Sequence, residues 1–386
     1  MLVVLDVAWW MICARLVRGS WWRLPVHVFM ALQTTVMISV FCGLGSAFRL
    51  VPMVIVISAV IWHHFTLGIF LPLGTICAGA WLFWKMTRPK TDPFLQSAPG
   101  SLDEKALSRR QFLGVAAAVA PPLLNIGLTG IGVAQLTELR VRRFDLAIPA
   151  LPKALDGTTI AHITDMHVGG MTDERMLKDM IHKTNALRPD LVLLTGDLID
   201  ARLADLGGAM DLVKGMQGRY GQWMIEGNHD LFENEGEFKR RVKAAGIPFL
   251  ANDSTVTEVR GHPIQLFGLN WFAGGEKLRD KFTEYRLQQL LTHRDPDAFP
   301  ILLAHHPHAF DAAVRAEMPL TLSGHTHGGQ WMFNQQFGVG PVLFRYWSGL
   351  YRRDRSQLVV SNGIGNVFPI RVNAPAEIVH LTLHCA

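Results

Sequence analysis

The sequence predicts an α/β body with a two-sheet core, preceded by an all-α multi-span membrane region. Three observations carry this. The first 135 residues hold long runs without a charge. From residue 158 onward, short apolar runs alternate with amphipathic stretches of helical period. In that second part the ligand-type side chains fall just after the apolar runs, as they do at the carboxyl edge of a helix-covered sheet.

Composition sets the outer bounds. The chain has 386 residues, more than one ordinary domain needs, with 49% apolar and 18% charged residues. Its net charge of +5 is unevenly placed: residues 1–135 carry ten Lys/Arg against four Asp/Glu, and the rest carry 27 against 28. The basic excess therefore belongs to the apolar part, and no nucleic-acid surface is evident on the body. Cys13, Cys42 and Cys77 lie in the apolar part and Cys385 stands alone, so no disulfide framework or cysteine metal site is readable.

Residues 24–48, 50–84 and 111–137 are free of charge over 25, 35 and 27 residues, each long enough to cross a bilayer. Residues 1–14 are apolar apart from Asp6 and form a short first span. Pro52 and Pro72 allow kinks in the second run. If 1–14, 24–48 and the later part of 50–84 each cross once, nine basic residues share one side. These are Arg15, Arg18, Arg23, Lys85, Arg88, Lys90, Lys105, Arg109 and Arg110, with only Arg49 opposite. The positive-inside rule makes that side cytoplasmic and the body periplasmic or extracellular. Trp21, Trp22, Trp81 and Trp84 suit an interfacial belt, and His63-His64 reads as a plain interfacial pair. Ser108-Arg-Arg-Gln-Phe-Leu-Gly114 resembles a twin-arginine export signal, which implies the twin-arginine machinery as a partner. Gly132-Val-Ala134 reads either as a cleavage site or as part of an uncut anchor. The resulting division is 1–90 membrane-spanning, 91–110 cytoplasmic basic linker, 111–137 last span or signal-anchor, and 138–386 the body.

In the body, 158–164 is a buried strand ending in Asp165-Met-His167. A helix follows, capped by Thr172, with Asp173 and Glu174 in its first turn. Leu191–Leu194 form a strand ending in Gly196-Asp197, and a helix runs over about 204–217. Gln222–Ile225 form a strand ending in Gly227-Asn-His-Asp230. A helix over about 235–245 leads to a short strand at 247–250, then a hairpin over 254–269. Ile301–Ala304 end in His305-His306, and helix 309–317 leads to Leu320–Leu322 and Gly324-His-Thr-His-Gly-Gly-Gln330. Leu358–Ser361 and Glu377–Leu383 close the sheets.

Seven ligand-type residues follow apolar runs: Asp165, His167, Asp197, Asn228, His305, His325 and His327. Carboxylate, amide and imidazole without thiolate suit Mn, Fe or Zn. Seven exceed what one open ion needs, so two divalent metal ions bridged by a carboxylate use them all.

These five motifs, in this order, resemble the calcineurin-like metallophosphoesterases over about residues 155–384. The multi-span, twin-arginine start resembles a bacterial membrane-anchored branch. The resemblance implies an α/β/β/α sandwich and metal-activated hydroxide attack on a phosphoester substrate, a phosphodiester ahead of a monoester. It further implies that Asp165, His167 and His327 hold one ion. Asn228, His305 and His325 hold the other, and Asp197 bridges. His229 is the implied general acid and Asp200 the residue that orients it. His306 is read as a neighbour of the site, His308 as surface, and Asp230 as either a cap or a supporting partner. The aromatic segment Trp331–Tyr351 reads as a packed loop or as a lip touching bilayer or lipid-linked substrate. Two other functions stay open. One is a pyrophosphatase acting on a UDP-sugar lipid precursor, which needs a cytoplasmic body. The other is a catalytically inactive binding module.

Overall fold

The computed structural model describes residues 2–41, 52–87, 109–334, 337–368 and 370–386. Cys42, Arg49, Arg88, Lys90, Lys105 and Ser108 lie outside the described residues, as does most of the basic linker. Contacts divide the chain into Met1–Val133 and Ala134–Ala386.

The first unit is helical: α1 (Leu2–Leu16), α2 (Arg23–Phe41), α3 (Met53–Ile61), a π-helical turn (Trp62–Thr66), α4 (Leu67–Thr87) and α5 (Arg109–Gln135). Residues 53–87 form one continuous helical run. The π turn joins α3 and α4 into one helical run, kept despite Pro72 inside α4. Among the described residues, two helices are long and apolar enough to cross a membrane, Val54–Trp84 and Gln111–Gln135. Polar side chains tie the unit together inside its apolar packing. Thr34 and Trp62 Nε1 (2.8 Å) both donate to the buried Asp6 carboxylate, with His63 Nε2 at 3.5 Å. Asn125 Nδ2 donates to Ser58 Oγ at 2.9 Å, and Thr66 Oγ1 donates to Asn125 Oδ1 at 3.0 Å. His63 is therefore not half of an interfacial pair. It is buried against Asp6 while His64 is exposed.

The second unit stacks two mixed sheets. Its strands are β1 (Leu139–Ile148), β2 (Thr159–Ile163), β3 (Leu191–Thr195), β4 (Gln222–Ile225), β5 (Asp253–Val259), β6 (His262–Leu269) and β7 (Phe299–Ala304). They continue with β8 (Leu320–Ser323), β9 (Met332–Asn334), β10 (Phe337–Gly338), β11 (Gly349–Arg353), β12 (Ser356–Val360) and β13 (Ala376–Cys385). The helices are α6 (Glu174–Ala186), α7 (Leu206–Gly215), α8 (Glu235–Ala244), α9 (Glu276–Leu291), α10 (Ala309–Arg315) and the single turn α11 (Gly340–Leu343). One sheet runs β1-β13-β2-β3-β4 and the other β11-β12-β8-β7-β6-β5. In the first, β2, β3 and β4 are parallel. In the second, β12, β8, β7 and β6 are parallel.

Strand alternation explains the layers. On β3, Leu191 and Leu193 face the inter-sheet core, while Val192 and Leu194 face α6, α7 and α8. On β7, Ile301 and Leu303 face the inter-sheet core, and Leu302 and Ala304 face α9 and α10. The result is an α/β/β/α sandwich.

Two local expectations are corrected. Asp173, not Thr172, caps α6, because its carboxylate accepts from Arg175 N at 2.7 Å. Thr172 Oγ1 instead accepts from Asn366 N at 3.1 Å. Residues 247–250 make only an isolated bridge, Met224↔Phe249. Pro248 has no N–H, so the ladder is limited to its carbonyl and Leu250 N. The strands β1 and β11 and the helix α9 were absent from the sequence reading.

A buried arginine braces the segment behind β2. Arg371 is fully buried and donates from Nε to Asn366 Oδ1 (2.6 Å), from Nη1 to Ala374 O (2.7 Å), and from Nη2 to Gly365 O (2.5 Å). Gly365 N in turn donates to Asp165 O at 2.6 Å. Arg371→Met leaves these acceptors unpaired in the core. It is expected to cost about 3 kcal/mol and to lower the thermal midpoint by roughly 5–10 °C, followed by tryptophan fluorescence.

Candidate metal centre

The parallel strands deliver their carboxyl ends to one edge shared by both sheets. Asp165 and His167 follow β2, Asp197 follows β3, Asn228 follows β4, His305 follows β7, and His325 and His327 follow β8. The structure brings all seven together. Asp165, His167 and His327 converge on one point, and Asp197, His305 and His325 on a second, each group within 4.8 Å.

Distances describe the two groups. His167 Nε2 and His327 Nε2 are 3.1 Å apart, and Asp165 Oδ1 is 3.3 Å from His327 Nε2 and 3.9 Å from His167 Nε2. Asn228 Oδ1 lies 3.2 Å from His305 Nε2 and 3.0 Å from His325 Nδ1. Asp197 stands between the groups. Its Oδ2 is 3.1 Å from His305 Nε2 and 3.6 Å from His167 Nε2, and its Oδ1 accepts from His229 N at 2.8 Å. Imidazole nitrogens, a shared carboxylate and an amide oxygen facing common points form a donor set that fits two borderline divalent ions.

The backbone is bent to reach this arrangement. Asp165, His167, Asp197, His325 and His327, five of the seven, hold left-handed φ values of 52°, 44°, 54°, 71° and 50°. Such values are uncommon for non-glycine residues and are kept where the surroundings over-determine them. Main-chain bonds do so here: Asp165 N donates to Gly196 O (2.9 Å), and His167 N to Asp197 O (3.1 Å). His325 N donates to the Asp165 carboxylate at 3.0 and 3.1 Å. Gly324 allows this approach: a Cβ there would meet Thr164 Oγ1 at 2.1 Å and Asp165 Oδ2 at 2.2 Å.

Charge is balanced within the cluster. Burial opposes ionisation of Asp197, yet His305 and His167 bring it down to about 2. Burial likewise opposes protonation of His305, but Asp197 and Asp165 lift it to about 9. Burial pushes His325 down to about 3, leaving a neutral imidazole. Asp230 is driven up to about 7 by burial and by Asp197. Its carboxyl accepts from Leu198 N (2.8 Å), Ile199 N (3.1 Å) and Gly227 N (2.9 Å), so it braces the loops after β3 and β4.

The remaining expected residues sit around this cluster. His229 Nδ1 is 2.5 Å from Asp200 O, while the Asp200 carboxylate is 3.7 Å from His229 Nδ1 and 3.3 Å from His167 Nδ1. His306 is buried, accepts from His308 N at 3.2 Å, and faces Arg279. Trp271 escaped the sequence reading. Its ring centroid lies 5.0 Å from His325 and 5.6 Å from His305. It follows β6 as the seven follow their strands, so the same strand-end rule points to it.

Residues 158–329 match the family model described as calcineurin-like phosphoesterase. This segment is similar to that family over those residues. Calcineurin-like phosphoesterases use a dinuclear metal centre, and the donor cluster above supplies candidate ligands for one. The zebrafish transmembrane protein with metallophosphoesterase domain is 30% identical over 252 residues, 62% of this chain and 56% of that protein. An uncharacterized metallophosphoesterase of Bacillus subtilis is 29% identical over 293 residues, 72% of this chain and 98% of its own length. One from Campylobacter jejuni is 32% identical over 248 residues, 63% of each chain. The chain thus spans little more than half of the zebrafish relative.

Asp197→Ala removes the carboxylate common to both donor groups. Purified wild-type protein is expected to hold two metal equivalents by mass spectrometry and the variant at most one. Two full equivalents in the variant would exclude the bridging role.

Proposed function

We propose that the chain is a membrane-anchored, dinuclear-metal phosphoesterase that prefers phosphodiesters. Asp165, His167 and His327 hold one ion, Asn228, His305 and His325 hold the other, and Asp197 bridges them. The observation that carries this reading is the position of Asp197, whose Oδ2 faces His305 of one group and His167 of the other. When bound, two such ions supply Lewis-acid charge neutralisation at the phosphoryl oxygens and a nucleophile drawn from water at neutral pH.

The protein's own groups do the rest. Asn228 and the strand-end turns orient the donors before substrate arrives. His229 Nδ1 is engaged by the Asp200 carbonyl at 2.5 Å, so the proton it delivers to the leaving oxygen is the one on Nε2. The Asp200 carboxylate stands nearer to His167 than to His229. Asp200 therefore positions both residues, His167 through the carboxylate and His229 through the carbonyl. Trp271 and Phe344, the latter with its ring 5.8 Å from His325, wall one side of the site.

The anchoring rests on the apolar helix Gln111–Gln135 and on the loop charges of the first 110 residues. In this reading residues 138–386 form the catalytic domain, exported through the Arg109-Arg110 signal and held at the outer face of the inner membrane. Manganese is the first metal to try, with iron and zinc beside it.

His167, Asp197 and His229 also fall within 4.8 Å of one another, which favours a second role for His229 as a ligand. His229→Ala separates the two. As general acid, it is expected to keep both metal equivalents and lose about 10²–10³-fold in turnover of an aryl phosphodiester. Loss of metal in that variant would make His229 a ligand instead. For orientation, a C-terminal reporter active only outside the cytoplasm is expected to give signal. Signal only from a cytoplasm-active reporter would reverse the topology and favour the lipid-precursor pyrophosphatase.

A further inference from the structure

The segment after the His325/His327 turn leaves large apolar side chains in the open. Phe333, Phe337, Val342 and Leu343 on β9, β10 and α11 are 64%, 69%, 83% and 63% exposed. Phe368 joins them at 57%, its backbone paired with the Gln330 side chain at 3.1 and 3.3 Å. An apolar group of this kind on a protein surface marks an interaction site.

The chain path bears on what covers it. The apolar helix Gln111–Gln135 has 25 residues. At about 1.5 Å per residue it is long enough to cross a hydrocarbon core of about 30 Å and reach headgroup level. Its last residue is linked to the start of that segment through Asn373. Asn373 N donates to Gln135 Oε1 at 2.6 Å, and Asn373 Nδ2 donates to Met332 O at 2.9 Å. Asn366 Nδ2 adds a bond to Leu136 O at 3.3 Å. Two hydrogen bonds therefore separate Gln135 from Met332, the first residue of β9. The other end of the same segment reaches the metal centre, where the Phe344 ring lies 5.8 Å from His325. A Cβ on Gly329 would meet Gly340 N at 2.4 Å, so α11 rests directly on the histidine turn.

We infer that β9, β10 and α11 form a lip that docks into the headgroup layer of the bilayer and admits to the metal centre a phosphoester whose apolar part stays in the membrane. This rests on the reading of Gln111–Gln135 as an anchor and of the centre as a phosphoesterase. Apolar side chains at headgroup depth bind by the area they bury, and a lip held beside an anchor adds that contact at high effective concentration. The substrate class is a lipid phosphodiester, presented sideways from the leaflet.

The test uses the full chain in nanodiscs of phosphatidylglycerol and phosphatidylethanolamine. An environment-sensitive fluorophore is placed at Phe337→Cys or Val342→Cys, with Val256→Cys on β5 as control, after the four native cysteines are replaced by alanine. Brominated lipid is expected to quench the two lip labels and spare the control. Absent quenching, equal quenching at the control, or a signal that follows copy number per disc would overturn the docking surface. Activity is read separately on bis-p-nitrophenyl phosphate and on phosphatidyl-p-nitrophenol, which share a leaving group. A variant with serine at residues 333, 337, 342 and 343 is expected to lose at least about tenfold more rate on the lipid than on the soluble ester. Equal changes on both esters would overturn lateral delivery. If wild-type protein cleaves neither, the phosphoesterase reading fails, while the quenching result still decides the lip.

Discussion

The carboxylate of Asp197 is the constraint on which the rest of the centre depends. It lies buried at the edge where the two sheets meet, with Oδ1 held by His229 N and Oδ2 facing His305 and His167. Each of those neighbours comes from a different strand end. A shift of any strand by one residue would point its ligand to the opposite face. Close packing enforces the register: a Cβ on Gly227 would meet Asp197 Oδ1 at 2.1 Å. Gly196 turns at φ 93°, where a Cβ would strike Gly227 N at 2.5 Å. The loops after β3 and β4 therefore fit only one way, and Asp230 bonds them together from below.

Much of this was legible in the sequence because parallel strands impose a simple rule. Buried runs such as Leu191–Leu194 and Ile301–Ala304 are apolar on both faces, so the first polar residue after each marks the sheet edge. Applied along the chain, the rule locates Asp165, Asp197, Asn228, His305 and His325 at that edge. It gives position, not orientation. Which atom of Asp200 faces which histidine depends on the left-handed turns at His167 and Asp197, and no residue type announces those. Arg371 was missed for a related reason. Apart from Asn366 Oδ1, its partners are backbone carbonyls between residues 362 and 374, and such acceptors leave no trace in a pattern of side chains. The strand β1 was missed because its partly exposed, arginine-rich face, Arg140 to Arg143, does not read as a buried run.

The helical unit illustrates the opposite limit. Its hydropathy is plain, but the polar groups that join its helices stand far apart in sequence. Asp6 meets Thr34, Trp62 and His63, and Asn125 meets Ser58 and Thr66. In apolar surroundings such bonds specify which helices pair, since dispersion alone does not discriminate among them.

The place of β13 in the sheet sets the order in which the body can be completed. Residues 376–385 pair on one side with β1 and on the other with β2, so Leu139 finds its partner at Ala376. Every donor of the metal centre, from Asp165 to His327, is synthesised before the strand that braces the first of them exists. Pairings of such long sequence separation form slowly. The sheet that presents Asp165 and Asp197 is thus completed only by the last strand to be made.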